Sequence, residues 1–93
     1  MRQTRRQEIV ERLKVEETGF GELREEMGLT VAVLRTDLEH IARSLGQRLR
    51  IRPPRCLDCG FVARPRLTPP GRCPSCRGHR FGGPWLRVAD GGV

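Results

Sequence analysis

The chain has no tyrosine, a single lysine, and no apolar run longer than the four residues Val31–Leu34. Runs that short exclude a membrane-spanning helix, which needs about 20 consecutive apolar residues. Aromatic residues make up 4% of the 93 positions, so much of the chain has little with which to build a core unaided. Catalytic signatures are missing too. There is no paired-carboxylate pattern, no glycine-rich phosphate loop, and no cysteine–histidine dyad outside one cysteine cluster. A chain of this size also has no room for a large enzyme fold, so no enzymatic activity is expected. The basic segment Met1–Gln7 is not followed by an apolar stretch. No secretory leader is therefore expected, and the cytoplasm is the expected location.

Acidic residues are scarce in one half only. Residues 1–48 carry nine basic and nine acidic side chains, whereas residues 49–93 carry nine arginines against Asp58 and Asp90. The whole formal charge of +7 therefore sits in the second half. Arginine outnumbers lysine 17 to 1, which G+C-rich codons can explain, but codon bias does not remove acidic residues from one half. A local basic field points to an anionic partner, of which nucleic acid is the commonest.

Periodicity divides the chain in the same way. Thr4 with Gln7 forms a capping-box pattern ahead of Ile9, Val10 and Leu13, which predicts a helix over about residues 5–15. Residues 16–19 read as a break. Phe20, Leu23 and Met27 share one face of a second helix that Gly28 ends. Thr30 then caps a third helix, over about residues 31–45, with the stripe Val31, Leu34, Leu38, Ile41 and Leu45, closed by Gly46. Two helices joined by a short glycine-containing turn form a helix-turn-helix arrangement. Beyond Gly46 the period falls to two, and Leu49–Arg52 reads as a strand stopped by Pro53-Pro54. Phe61–Arg64 and Trp85–Val88 are further strand candidates, and Ala89–Val93 reads as a frayed tail. The Leu49–Arg52 strand is expected to pair with Phe61–Arg64 around the first cysteine pair.

Cys56-Leu57-Asp58-Cys59-Gly60 and Cys73-Pro74-Ser75-Cys76 make a C-x₂-C…C-x₂-C pattern. Two intervening residues let one tight turn aim both sulfurs at a single point, and two such turns supply a tetrahedral four-thiolate site. In a reducing compartment this spacing signals metal more than disulfides. The expected ion is Zn²⁺, ligated by Cys56, Cys59, Cys73 and Cys76 with no open position, hence structural. Such an ion supplies about 10 kcal/mol or more of folding free energy. His79 lies near the cluster but is not needed as a ligand, and His40 reads as a solvated side chain.

Glu22-Leu23-Arg24-Glu25-Glu26-Met27-Gly28, Asp37-Leu38-Glu39-His40-Ile41, Cys56-Leu57-Asp58-Cys59-Gly60-Phe61 and Arg72-Cys73-Pro74-Ser75-Cys76, in this order, carry a resemblance. The chain resembles the small archaeal and bacterial predicted transcriptional regulators that fuse a helix-turn-helix domain to a C-terminal zinc ribbon. The resemblance runs from Thr4 to Val88. It implies an α+β protein: a three-helix winged helix-turn-helix domain over residues 1–52, then a small β zinc ribbon over residues 53–93. It also implies a role in transcription.

Candidate DNA contacts are Thr30, Arg35, Thr36 and Arg43 on the third helix, and Arg48, Arg50, Arg52 and Arg55 on the strand and its exit. Glu39 on the same helix opposes phosphate, so a scaffold or dimerisation face is a second reading of that helix. The expected function is a DNA-binding transcriptional regulator or accessory factor acting on double-stranded DNA. Two alternatives stay open. One is an adaptor that docks on transcription machinery or RNA, in which Phe61, Phe81 and Trp85 either stack bases or form the ribbon's own core. The other is a rubredoxin-like iron electron carrier, although Arg77 replaces the usual glycine after the fourth cysteine. The oligomeric state is open, a homodimer being one arrangement.

Overall fold

Thr4 begins the first helix as its capping pattern predicts. The Thr4 hydroxyl accepts from the Gln7 N–H at 3.2 Å, and the Gln7 side chain accepts from the Thr4 N–H at 2.9 Å. In the computed structural model, which describes residues 4–89, this helix α1 spans Arg5–Val15 and buries Ile9 and Leu13. Helix α2 follows over Phe20–Met27, ended by Gly28 at φ +65°, and Thr30 caps α3, Val31–Leu45, by accepting from the Val33 N–H. None of these helices is long and apolar enough to cross a membrane.

The stripe on α3 differs from its prediction at both ends of polarity. Val31, its expected first member, is 47% exposed and lines an open cleft instead of joining the core. Asp37 is fully buried among the apolar residues. Its carboxylate accepts from Arg5 Nε, from Arg5 Nη2 at 3.0 Å and from Arg6 Nε at 3.2 Å. A charge can sit there because two guanidinium groups at the start of α1 replace the water it loses.

Among the described residues there are also five short strands: β1 Thr18–Gly19, β2 Leu49–Arg52, β3 Arg55–Cys56, β4 Phe81–Gly82 and β5 Trp85–Val88. They form an antiparallel sheet of order β1-β5-β2 and a smaller antiparallel pair, β3-β4. Strand β1 lies inside the segment read as a break. It is two residues long, and its pairing partner stands at the far end of the chain, opposite Leu86 and Trp85.

The expected pairing of Leu49–Arg52 with Phe61–Arg64 does not form. Strand β2 pairs with β5 in the register Leu49↔Val88, Arg50↔Arg87, Ile51↔Leu86 and Arg52↔Trp85. Of the Phe61–Arg64 segment, only Val62 makes a bridge, to Arg55. Two causes act together. Pro53-Pro54 has no N–H to continue the ladder, and the Pro54 carbonyl accepts instead from Ala63. In addition, the alternation in Trp85–Val88 points Leu86 and Val88 inward, where they join Leu49, Ile9, Leu13, Phe20, Leu23, Leu34, Leu38 and Ile41 in one core.

A division of the chain at residue 52 therefore cuts one sheet in two. The chain leaves the sheet after Arg52, builds a cysteine-bearing lobe over residues 53–84, and returns as β5 to complete the helical core. The lobe leans on the helices: Leu67 packs against that core, and Pro69 and Phe81 line a cleft with Phe20 and Val31. Ala89 still donates to the Arg48 carbonyl at 2.8 Å, and the rest of the expected frayed tail, residues 90–93, lies outside the described residues.

Candidate metal centre

Two turns of the same geometry build the centre. In the first, the Gly60 N–H donates to the Cys56 carbonyl at 3.0 Å and the Cys56 N–H to the Phe61 carbonyl at 2.7 Å. In the second, the Arg77 N–H donates to the Cys73 carbonyl at 2.8 Å and the Cys73 N–H to the Gly78 carbonyl at 2.8 Å. Each turn buries its first cysteine and leaves the second exposed. Strand β3 pairing with β4, and the Leu57 N–H donating to the Arg80 carbonyl at 2.9 Å, bring the turns face to face. An ion pair between Asp58 and Arg80 closes the join from the side.

All four sulfurs lie within 4.8 Å of one another, with Cys56–Cys76 and Cys59–Cys73 separations of 3.6 Å. A tetrahedral ion about 2.3 Å from each sulfur needs edges of about 3.8 Å. The four cysteines thus form a site of the size and donor chemistry that can hold a metal ion. Their ionisation agrees with that. Burial pushes the Cys73 thiol up, but the N–H groups of Cys76 and Ser75 and the neighbouring sulfurs outweigh it and bring it down to about 7. The Gly78 N–H, donating to Cys76 Sγ at 3.4 Å, pulls Cys76 down, but burial and three nearby sulfurs prevail and push it up to about 12. His79 takes no part: its Nδ1 lies 3.0 Å from the Gly71 carbonyl.

The candidate DNA contacts are scattered. On α3, the Thr30 hydroxyl is spent on the cap and the exposed Thr36 hydroxyl donates to the Ala32 carbonyl at 3.0 Å. Arg35 stands 3.8 Å from Glu39, in a shallow hollow shared with Leu67 and Thr68 of the lobe, while Arg43 is exposed. Arg48 belongs to a turn of 3₁₀ helix, Gly46–Arg48, rather than to the strand, and its Nε donates to the Ala89 carbonyl. Arg52 is held by Glu17 at 2.8 Å and lies 4.0 Å over the Trp85 ring. Arg55 extends over Gly60.

Arg50 is left with a partner that the sequence did not reveal. Arg87 stands directly opposite it on the exposed face of the β2–β5 pair, and among the described residues neither makes an ion pair. The alternation of Trp85–Val88 carried the signal, since it put Arg87 on the outward face once the pairing with β2 is known.

Trp85, a candidate for base stacking, is half-buried. Arg52 covers one side of its ring. The Gly82–Gly83 backbone lies so close to the ring that a Cβ on Gly83 would fall 2.6 Å from it.

No protein-family model and no curated protein matches the chain. A solved structure does: the chain is similar to the solution NMR structure of protein PF0610 from Pyrococcus furiosus, with a TM-score of 0.71 and 27% sequence identity over 97% of this chain and 95% of that one. The likeness therefore includes the helices, the sheet and the cysteine lobe together.

Proposed function

We propose that the protein binds double-stranded DNA as a transcription regulator or accessory factor, with a structural Zn²⁺ on Cys56, Cys59, Cys73 and Cys76. The fold supports the reading in its topology. We read the three helices and the sheet of order β1-β5-β2 as a winged helix whose wing tip is replaced by the cysteine lobe. Zinc suits four thiols because it tolerates tetrahedral sulfur and needs no further ligand. With all positions taken by protein, the ion holds the lobe together and performs no chemistry.

The observation that carries the DNA reading is the Arg50–Arg87 pair. Like charges directly opposite on a sheet are destabilising, so a protein gains nothing from them in isolation. A phosphate between them removes the repulsion and uses both guanidinium forks. The α3 helix contributes less, because Glu39 neighbours Arg35 and the lobe sits beside both. Contacts to the DNA backbone are thus expected to outweigh base readout.

The test is a titration of duplex DNA over a range of salt concentrations. Replacing Arg50 and Arg87 together by alanine is expected to weaken binding to all sequences alike and to flatten the log K against log salt slope by about 0.9, the share of one phosphate. An unchanged slope, or no salt-dependent binding by the unaltered protein, would sink the proposal. Metal analysis of freshly purified protein tests the ion: one zinc per chain is expected, and a coloured iron form would favour the electron-carrier alternative.

A further inference from the structure

Leu57, inside the first cysteine turn, and Val62, just after it, are 61% and 57% exposed. Both line an open cleft of about 750 Å³ whose other walls include Pro53, Trp85, Arg52 and Arg55. Leu57 rests one side on Gly82, where an added Cβ would lie 3.2 Å from Leu57 Cδ2, and turns the other outward. Backbone bonds hold this turn, from the Gly60 N–H to the Cys56 carbonyl, from the Cys56 N–H to the Phe61 carbonyl and from the Leu57 N–H to the Arg80 carbonyl, so the two aliphatic side chains are not free to fold inward. Neither contributes to the core that the helices and sheet share.

We infer that this cleft is a docking site for an acidic, apolar segment of a partner protein. Four observations select that occupant. Apart from the candidate metal ligands Cys56 and Cys59, the charged side chains lining the cleft are both arginines. Arg52 is neutralised by Glu17, but Arg55 makes no ion pair among the described residues, so the cleft presents one uncompensated cation beside an aliphatic step. Aliphatic groups offer nothing to a phosphate, and the one aromatic ring in the cleft is half-buried and already has Arg52 over one face and the Gly82–Gly83 backbone against it, which leaves little room for a base to stack. Finally, Arg55 is already paired on both sides, to Gly82 and to Val62, so no free strand edge exists there for a peptide to extend. Recognition therefore falls to side chains: a leucine or phenylalanine against Leu57 and Val62, and a carboxylate on Arg55. Arg52 and Trp85 bring this site next to the Arg50–Arg87 pair, two residues along each strand, but neither Arg50 nor Arg87 lines it, and its test needs no DNA.

The probe is a short fluorescein-labelled peptide of aspartate, glutamate, leucine and phenylalanine, titrated into the full-length, metal-containing protein. Binding with a Kd of about 10–100 µM is expected, with NMR shifts centred on the methyl groups of Leu57 and Val62. Leu57→Ser with Val62→Ser, and separately Arg55→Ala, are each expected to weaken it about tenfold. Unchanged metal content shows that these variants keep the lobe. Peptides with amides for carboxylates, or serines for the apolar residues, should not bind. Equal binding of either control peptide, shifts centred elsewhere, tighter binding of single-stranded oligothymidylate at Leu57 and Val62, or occupation of the cleft by a second copy of the chain would each overturn the inference.

Discussion

Arg77 occupies in the second cysteine turn the position that Gly60 occupies in the first. Both residues follow the second cysteine of their pair, both are left-handed, at φ +63° and +82°, and both close their turn on the carbonyl of its first cysteine. Glycine adopts that conformation without steric cost, whereas a side chain at such φ costs about 1–2 kcal/mol.

Arg77→Gly is therefore expected to stabilise the protein, by up to about 1 kcal/mol once the greater freedom of glycine in the unfolded chain is set against the gain. Gly60→Ala is expected to destabilise it by about 1 kcal/mol. At Gly60 the cost comes from φ alone, since an added Cβ meets nothing closer than Arg55 Nη2 at 3.6 Å. Thermal unfolding of the metal-containing protein checks both signs, and Arg77→Gly with a lowered midpoint would contradict them.

Asp37 sets an acid limit on stability. Hydrogen bonds from Arg5, opposed by burial and aided by Arg6, hold its carboxyl below the usual aspartate range. A carboxylate depressed in the folded state contributes stability above its unfolded pKa of about 3.9 and loses it as pH falls through the folded value. Glu26 beside Arg12 and Asp58 beside Arg80 shift the same way. Stability is thus expected to decline below about pH 4. Asp37→Asn should cost about 1–3 kcal/mol at neutral pH and flatten that decline. Denaturant melts at several pH values measure both, and an unaltered acid limb in the variant would exclude Asp37 as its source.

The cross-strand pair separates stability from binding. Arg87→Glu places opposite charges across Arg50 and is expected to stabilise the free protein by about 0.2–1 kcal/mol. The same change should weaken duplex binding more than Arg87→Ala does. A variant that gains stability and keeps its affinity would show that the pair does not face DNA.

How much of this was legible beforehand follows from the range of the interactions. The helices are written locally, in Thr4 with Gln7, in Gly28, and in Thr30, so their limits follow from the sequence. The cysteine turns are local as well, which made the four candidate ligands legible. Strand β1 and the partner of β2 depend on β5, at the other end of the chain, and two-residue strands carry no period of their own. Asp37 was hidden for a similar reason. A charge inside an apolar stripe reads as solvated until Arg5 and Arg6 are seen to reach it. Arg48, Arg50 and Arg52 look equivalent in sequence, yet a 3₁₀ turn, an opposing arginine and a tryptophan give them three different settings.

Loss of the metal is expected to weaken the helical half as well as the lobe. A ribbon appended after the sheet would melt alone and leave the three helices as stable as before. Here β5 follows the lobe, and its Leu86 and Val88 are buried in the core beside Ile9 and Leu13. With the lobe ordered, Arg52 and Trp85 are held at adjoining ends of their strands. With the lobe disordered, residues 53–84 become a free loop that must be closed before β5 can pair. Closing a loop of that length costs about 3 kcal/mol by the logarithmic chain-entropy relation. Small domains have only about 5–15 kcal/mol of stability in total, so the helices should remain folded but markedly less stable. Chelation, or Cys56→Ser with Cys73→Ser, is therefore expected to lower the midpoint of the far-ultraviolet dichroism transition and to speed amide exchange at Leu86 and Val88. Duplex affinity should fall with it, because Arg87 is carried by the strand that has lost its anchor. Unchanged exchange at Leu86 and Val88 after metal removal would show that the sheet closes without help from the lobe.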